Sequence, residues 1–462
     1  MMKKISGGLA LTLLAICSTS NLVFAQDSVA APPISAGDTA WVLISAALVM
    51  LMTPGLAYFY GGMVQSKNVV STLFKNFSAI AIVGVLWVVC GYSLAFAPSN
   101  GGIIGGLNWL FLNGVGQEAF SDYSATIPHL AFMIFQCMFA IITPALIIGA
   151  IVERVRFSAW LVFMAVWSLI VYSPVAHWVW GVGGWIRSMG SLDFAGGMVV
   201  HMTAGYSALV AAALVGHRKV AHSEVKPFSS GYVMLGTALL WFGWFGFNSG
   251  SALGANGLAA HAFVTTMAAA SMAFLSWMLL DWFTKGTPSA IGACIGAVAG
   301  LVAITPAAGF VSISSSLVIG LIAGVLCNLA ATLVKKKIPL DDSLDVFACH
   351  GVGGTLGTIL TAIFASKAVN GAGADGLIFG SASLLISNLI SAFAVIAYSM
   401  IMTFVILKVI NIIIPLRAEA SEEVTGLDTS IHNESIYNHA SIGIEEPTYE
   451  AKPKKRELEE LV

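Results

Sequence analysis

Two histidines, His201 and His350, lie in otherwise apolar stretches of the chain. Their position indicates proton or ligand chemistry inside a membrane. A neutral imidazole offers one nitrogen as donor and one as acceptor, and it titrates near neutral pH. Two facing imidazoles can share one hydrogen and still present their outer nitrogens to a small polar molecule or a proton. Metal or haem ligation is the rival use, but no Cys or carboxylate at matching depth completes a zinc-type shell, so we expect no metal and no cofactor.

Each histidine follows an aspartate by eight residues, Asp193 before His201 and Asp342 before His350, and each precedes a small-residue segment, 203–205 or 351–354. An Asp at a helix start caps free backbone N–H groups, which is the structural role expected of Asp193. A duplicated unit with five spans would be inverted in the membrane, as in many transporters. The match alone does not separate such a repeat from coincidence.

The composition requires lipid around most of the chain. Of the 462 residues, 58% are hydrophobic and 10% charged, and the mean hydropathy is +0.88, which excludes an ordinary soluble protein. The net charge of -2 gives no basic field for nucleic acid. Five of the six cysteines fall in apolar segments and the other in the N-terminal leader, so no disulfide framework is predicted.

The N-terminus is typical of a secretory signal peptide. Lys3 and Lys4 precede an apolar run at residues 9–16, and Val23-Phe24-Ala25 supplies small residues at a cleavage site. We expect a signal peptide at residues 1–25, with an uncleaved first span as the alternative.

Eleven later windows hold the roughly 20 mostly apolar residues that a membrane span needs. Their limits are 39–62, 76–96, 128–151, 157–179, 194–216, 228–249, 260–284, 288–308, 312–334, 345–366 and 380–412. Glycines at four-residue spacing in windows 8 and 9 indicate tight helix packing: Gly292, Gly296, Gly300, Gly320 and Gly324. The predicted fold class is an all-α polytopic membrane protein with eleven transmembrane helices, an inverted five-plus-five repeat plus a final helix.

Basic residues predict the orientation, because short cytoplasmic loops collect Lys and Arg. Alternate loops hold Lys67, Lys75, Arg154, Arg156, Arg218, Lys219, Lys226, Lys285, Lys335, Lys336 and Lys337, whereas the opposite loops hold Arg187 and Lys367. We therefore expect an outside N-terminus, a cytoplasmic C-terminus and a cytoplasmic tail at residues 418–462.

This orientation sets the depth of the two histidines. At 1.5 Å per residue, His201 lies about 12 Å from one face and His350 about 8 to 12 Å from the other. Both approach the midplane of a hydrocarbon core about 30 Å thick, where an ionisable group is a functional candidate by default. The alternative is a pair of core histidines that bond neighbouring carbonyls.

Several sequence blocks resemble those of the ammonium transporter family (Amt/Mep/Rh), bacterial Amt type, in family order from about residue 38 to residue 438. The blocks are GLAYFYGG (55–62), FQCMF (135–139), HWVWG (177–181), DFAGGMVVH (193–201), WFGFNSGS (244–251) and DVFACHGV (345–352). The resemblance implies an eleven-span transporter domain at residues 26–417 and a homotrimer with one pore per subunit, in the cell inner membrane.

The resemblance also implies roles for named residues. Trp180, Phe139 and Ser251 match the outer recruitment site for ammonium, with Asp193 as the acidic residue beneath it. Phe139 and Phe247 match the two rings that close the pore, and His201 and His350 match its twin histidines. Aromatic faces attract a cation, although a single aromatic near a helix end is more often an interface anchor.

The function expected from this resemblance is recruitment of NH4+, its deprotonation, and conduction of NH3 with separate, electrogenic proton transfer. The alternatives are an ammonium sensor with little flux and a neutral NH3 channel of Rh type, which Trp180 and Ser251 disfavour. We do not expect an enzyme, although a haem- or metal-bearing membrane enzyme remains a third class. Residues 426–428 and 432–438 resemble a C-terminal element that PII-type regulatory proteins read, with a solvated tail as the alternative.

Overall fold

The computed structural model describes residues 34–219, 226–337 and 340–437, and side chains are not described at residues 335–337. The predicted signal peptide, residues 1–25, lies outside the described residues. So does the part of the predicted tail from residue 438 onwards.

Eleven long helical segments form within the described residues, and each overlaps one predicted window. They are α1 (Ala36–Met63), α2 (Ser66–Phe96), α3 (His129–Ala150), α4 (Phe157–Ser188), α5 (Gly197–Val215), α6 (Ser230–Gly250), α7 (Gly257–Lys285), α8 (Ala290–Ile304), α9 (Ile313–Lys337), α10 (Phe347–Phe364) and α11 (Ser383–Ile413). Nine of these described helices are long and apolar enough to cross a membrane. The other two, α6 with 21 residues and α8 with 15, make the total consistent with eleven spans.

The helices differ in how far they are enclosed. In the most apolar 18-residue window of α3, 94% of residues are buried, compared with 33% in α11. Apolar side chains on α11 stay exposed, including Phe393 and Ile401. Because lipid solvates such a surface, α11 belongs to the periphery and α3 to the centre of the bundle.

Glycines bring α8 and α9 against α7, as their spacing predicts. A Cβ added at Gly300 or Gly320 would lie 2.7 or 2.2 Å from the carbonyl oxygen of Ala269. At Gly324 it would lie 2.6 Å from the carbonyl oxygen of Ala273. Backbone therefore approaches backbone where larger residues would separate the helices.

A close antiparallel crossing joins α5 to α10. A Cβ at Gly205 would lie 2.0 Å from the backbone nitrogen of Gly351. A Cβ at Gly354 would lie 3.1 Å from the Cβ of His201 and 2.9 Å from the carbonyl oxygen of Gly197. The two histidine-bearing helices thus meet through small residues on both sides of the crossing.

The connection between α2 and α3 contains two short antiparallel hairpins that the apolar windows do not predict. Ser99–Asn100 pairs with Ile104–Gly105, and Ala119–Phe120 pairs with Ser124–Pro128. The turn of the second hairpin carries Asp122 and Tyr123 to one end of the bundle.

The chain after α11 folds back on the opposite end of the bundle. A short helix α12 (Ala420–Thr425) precedes a turn at Asp428–His432. The Asp428 carboxylate accepts hydrogen bonds from the backbone N–H groups of Val70 and Ser71, at 2.9 and 2.7 Å. It caps the start of α2, so the described part of the predicted tail packs against the bundle.

Candidate functional site

The two histidines meet at the crossing of α5 and α10. Nδ1 of His201 and Nδ1 of His350 are 3.2 Å apart, and the ring centroids are 5.3 Å apart at an interplanar angle of 24°. Both side chains are buried. Nε2 of His201 is buried and has no hydrogen-bond partner among the described residues.

Each histidine lies in a six-residue π-helical turn at the start of its helix, Gly197–Met202 or Phe347–Val352. Such turns widen a helix locally and occur often at functional sites. The shared turn and the shared aspartate spacing support the predicted repeat between the two halves of the chain.

Asp193 organises the first of these turns. Its carboxylate accepts hydrogen bonds from the backbone N–H groups of residues 196–199, at 2.8, 2.7, 2.7 and 3.3 Å, which confirms the predicted capping role. Asp342 does the same for the second turn, accepting from Val346 and Phe347 at 3.0 and 2.8 Å. Both carboxylates therefore hold a histidine-bearing turn in place.

A row of aromatic rings leads from one end of the bundle to the histidine pair. Trp180 meets Phe139 edge to face at 5.9 Å, and Phe139 lies against Phe247 with ring centroids 4.1 Å apart. Phe247 is followed by His201 at 6.0 Å. Phe139 and Phe247 are almost fully buried, so together they close the path between the open end and the histidines.

Above the closed rings lies an open cavity of about 210 Å³, which we call the mouth pocket. It is lined by Asp122, Tyr123, Phe132, Gln136, Val179, Trp180, Arg187, Phe194, Ser251 and Leu253. The hydroxyl of Ser251 donates to the carbonyl oxygen of Phe247 at 2.9 Å, which leaves its lone pairs free to accept. The indole N–H of Trp180 donates to the carbonyl oxygen of Asp193 at 2.9 Å.

The structure brings Trp180 and Ser251 together in the mouth pocket, with Phe139 against Trp180. Asp193 does not line this pocket. Its carboxylate accepts from the backbone at the start of α5, and its backbone carbonyl oxygen accepts the indole N–H of Trp180, which does line the pocket. Burial raises the pKa of Tyr123, in the hairpin turn at the rim, to about 12. Its hydroxyl therefore stays protonated and donates to the carbonyl oxygen of Phe96 at 2.6 Å.

Below the rings, a narrow apolar cavity contains the histidine pair. Its lining includes Phe247, Trp244, Val200, His201 and His350. The centre of a water-sized molecule can occupy a volume of about 10 Å³ in this cavity. That is about the volume needed for one water. A cavity of this size admits one small molecule without a hydration shell.

The aromatic row, the closed rings and the paired histidines are the arrangement expected from the sequence blocks. Comparison with known proteins shows the family of the chain. The model of the Ammonium Transporter Family matches residues 40–437. The chain belongs to the ammonium transporter family. The ammonium transporter of Bacillus subtilis (strain 168) is 52% identical over 401 residues, which are 87% of this chain and 98% of that protein.

Solved structures of other members of the ammonium transporter family share the fold of this chain. The crystal structure of Saccharomyces cerevisiae Mep2 matches with a TM-score of 0.79 and 37% identity, covering 84% of this chain and 91% of that one. A solved structure described as a sensor Amt protein matches with a TM-score of 0.78 and 30% identity, over 86% and 98% of the two chains. The predicted family and the helical membrane fold are thereby confirmed.

Two pocket residues of this family member were not singled out by the sequence reasoning. Gln136 lies inside the predicted window 128–151, and a polar amide in so apolar a segment was a usable signal. Trp244 stacks on His201 at 5.3 Å and 20° and donates its indole N–H to Thr305 at 2.9 Å. Its contact with His201 depends on how α6 packs against α5, which the spacing of residues does not reveal.

No group of three or more His, Cys, Asp or Glu side chains with metal-binding geometry occurs among the described residues. The histidine pair meets no carboxylate or thiolate there to complete a coordination shell. Its neighbours are aromatic and aliphatic, which suits a small neutral molecule.

Proposed function

We propose that this chain recruits NH4+ in the mouth pocket, deprotonates it, and conducts NH3 past Phe139 and Phe247 to the histidine pair. The observation that carries the proposal is the single continuous row Trp180, Phe139, Phe247, His201 and His350. Its successive ring centroids are 5.9, 4.1, 6.0 and 5.3 Å apart. The row starts at an open pocket and ends at the one polar pair among the described residues that line the narrow cavity.

The mouth pocket suits a cation. Trp180 lines the pocket and offers a π face, worth about 0.5 to 2 kcal/mol depending on desolvation. Ser251 supplies a hydroxyl oxygen whose lone pairs can accept an N–H from ammonium. Asp193 contributes indirectly, by holding the turn on which His201 lies and by accepting the indole N–H of Trp180 through its carbonyl oxygen.

The closed rings favour loss of a proton before passage. An isolated charge in an apolar environment carries a large free-energy penalty, and a neutral molecule avoids it. NH4+ can lose a proton, whereas K+, which is similar in size, cannot. Deprotonation therefore provides both passage and selectivity.

The histidine pair provides a route for the released proton. Only one hydrogen can lie between two Nδ1 atoms 3.2 Å apart, so one ring carries its proton on Nδ1 and the other on Nε2. A proton that arrives at the free Nε2 moves the shared hydrogen across and releases the proton of the other ring. One positive charge then crosses with each NH3.

Current measurement on a solid-supported membrane tests this function. Proteoliposomes that contain the full chain receive a pulse of ammonium, and uptake is measured on the same preparation. We expect a transient inward current that saturates with ammonium concentration. Uptake without current would replace the proposal with neutral NH3 conduction.

A sensor with little flux is the second candidate, because the similar sensor Amt structure has the same fold. Ammonium binding without current and without uptake would support it. No such result is compatible with the transport proposal.

We further propose that residues 1–25 are a cleaved signal peptide, that residues 26–417 form the transporter domain, and that residues 418–462 are a cytoplasmic tail. Support for this orientation comes from the end of the bundle on which the described part of the tail docks, where Arg154, Arg156 and Arg218 also lie. A homotrimer in the inner membrane, and a PII-type protein at its cytoplasmic face, complete the proposal. Native mass spectrometry and protease accessibility in spheroplasts test the assembly and the orientation.

A further inference from the structure

Trp244 forms one wall of the narrow cavity that contains the histidine pair. Its indole lies flat against the ring of His201, with ring centroids 5.3 Å apart at an interplanar angle of 20°. The same indole lies 5.4 Å from the ring of Phe247. One side chain therefore contacts both a ring that closes the pore and the first histidine, so its orientation matters to both.

The orientation of this indole depends on one hydrogen bond. The only polar atom of an indole is its nitrogen, whose N–H lies in the plane of the ring and can only donate. The N–H of Trp244 donates to the hydroxyl oxygen of Thr305 at 2.9 Å. Because Trp244 is buried, loss of this acceptor would leave a buried donor unpaired.

Thr305 is itself held by the end of α8. Its hydroxyl donates to the carbonyl oxygen of Leu301 at 2.7 Å. A hydroxyl has one hydrogen, which this bond uses, so its oxygen meets Trp244 as an acceptor. Thr305 is fully buried and does not line the narrow cavity. It therefore reaches the pore through the indole.

The residue after Thr305 joins the same segment to the turn that carries His201. A Cβ added at Gly197 would lie 2.5 Å from Cγ of Pro306. The carbonyl oxygen of Pro306 also accepts the backbone N–H of Phe194 at 3.1 Å. The end of α8 is thus packed against the start of α5, which makes Thr305 a fixed point for the indole relative to the histidine ring.

We propose that Thr305 is a positioning residue of the pore, whose hydroxyl holds the indole of Trp244 flat on His201. The supported imidazole keeps its Nδ1 turned towards His350, 3.2 Å away. Its Nε2, which has no partner among the described residues, also stays clear of the indole N–H. The inference deepens the proposed function and rests on it, because it explains how the pair that passes the proton is kept aligned.

The test measures ammonium-driven current and ammonia uptake on the same proteoliposomes for wild type, T305V and T305S. Valine is close to threonine in size but has no hydroxyl, so the indole N–H loses its acceptor. We expect the current of T305V to fall about tenfold, the effect of losing one buried hydrogen bond, and uptake to fall less. The charge moved per ammonia therefore decreases. T305S keeps the hydroxyl and should keep the wild-type ratio of current to uptake.

A second variant of the indole tests whether Thr305 acts through the N–H. W244F keeps an aromatic ring beside His201 and removes the donor. Introducing T305V into W244F should therefore cause no further decrease in the ratio of current to uptake. A further decrease as large as that caused by T305V alone would show that the hydroxyl acts by another route.

T361V is the matched control. Thr361 is fully buried, its hydroxyl donates to the carbonyl oxygen of Gly357 at 2.7 Å, and it does not line the narrow cavity. Loss of a buried threonine hydroxyl with only a structural role lowers current and uptake together, so T361V should keep the wild-type ratio.

A wild-type ratio in T305V, or an equal decrease in T305V and T305S, would overturn the role of Thr305. Uptake without current in wild type would instead overturn the proposed function, so the two failures are distinguishable. If T305V does not assemble, T305C decides the question. A thiol is a weak acceptor, so the ratio for T305C should lie below that of wild type, and an unchanged ratio would contradict the proposal.

Discussion

His201 and His350 face each other through their Nδ1 atoms, 3.2 Å apart, although 149 residues separate them along the chain. This geometry leaves the Nε2 atoms as the outer ends of the pair, and Nε2 of His201 has no partner among the described residues. The pair therefore has two outer nitrogens and one shared hydrogen, which is the minimum needed to pass a proton along.

Replacing both histidines with alanine should abolish the ammonium-driven current, because the described residues that remain around the narrow cavity offer the proton no titratable group. His261→Ala is the control, since His261 contacts the carbonyl oxygen of Val311 and does not line that cavity. Currents are compared at equal amounts of reconstituted protein. Intact ammonium current and intact potassium exclusion in the double variant would make the pair structural.

Trp180→Leu should weaken recruitment more than conduction. Loss of one cation–π contact of about 0.5 to 2 kcal/mol predicts a rise of roughly 2- to 30-fold in the half-saturating ammonium concentration. The maximal current changes less, because the rings of Phe139 and Phe247 remain. Trp178→Leu is the matched control, as Trp178 packs on Trp185 and Tyr398 and does not line the mouth pocket. An unchanged affinity in W180L counts against the recruitment role.

Asp193→Asn should destabilise the first histidine-bearing turn. A carboxylate accepts on both oxygens, whereas an amide has one acceptor, so N–H groups at residues 198 and 199 lose their partner. We expect a loss of about 1 to 3 kcal/mol in stability, together with a reduced maximal current. Thermal unfolding in detergent measures the first effect. Asp375→Asn is the control, because the exposed Asp375 carboxylate accepts a hydrogen bond from the backbone N–H of Lys367 in a loop. This variant should change neither the stability nor the maximal current.

Asp341→Asn should remove an ion pair that holds the loop before α10. Although burial raises the pKa of Asp341, the hydrogen bonds and charge of Arg218, with the charge of Arg154, lower it to about 2 from 3.8. Arg218 contacts both carboxylate oxygens, at 2.8 and 2.9 Å. Because Arg218 keeps its ion pair with Glu153, at 2.7 Å, we expect a loss of about 2 kcal/mol, less than the roughly 3 to 5 kcal/mol for a buried charge left without a partner.

The pH dependence of this effect follows from the sign of the shift. Because the folded pKa is depressed, the ionised carboxylate stabilises the protein fully above pH 3.8, and that stabilisation is lost as the pH falls towards 2. The pKa difference corresponds to about 2 kcal/mol. Unfolding temperatures of wild type and D341N should therefore differ by a constant amount from pH 7 to about pH 4 and converge below it. A constant difference down to pH 2 would refute this account.

Acid should release the docked tail segment at residues 420–437. The ring of His432 packs edge-on against Phe74 and Phe157, at 5.4 and 5.0 Å. Burial, and then the charge of Lys75, lowers the pKa of His432, with Glu434 opposing. The neutral ring therefore stabilises docking above its ordinary pKa of 6.5, and this contribution is lost as the pH falls below that value.

Hydrogen exchange at residues 420–437 should rise between about pH 7 and pH 5, after correction for the intrinsic rate. His432→Phe keeps the aromatic contacts and removes the titrating group, so its protection should not change over this range. The same pH dependence in wild type and H432F would assign the effect to another group.

The apolar windows determined most of the helices, because the transfer of an apolar residue from water to lipid depends on that residue and its near neighbours. The eight-residue spacing from Asp193 to His201, repeated at Asp342 and His350, indicated an internal repeat but did not by itself separate it from coincidence. The observed turns share a π-helical form and an aspartate cap. The sequence blocks predicted the family, which comparison confirmed.

Only the tertiary structure decided which atoms meet. That the histidines face through Nδ1, that Phe139 covers Phe247 at 4.1 Å, and that the oxygen of Gln136 is left without a partner all depend on the packing of helices distant in sequence. The hairpins between α2 and α3 and the docking of Asp428 on α2 also escaped prediction. The free energy of placing a residue in lipid depends on that residue and its near neighbours in the sequence. The distances between side chains depend instead on close packing between whole helices.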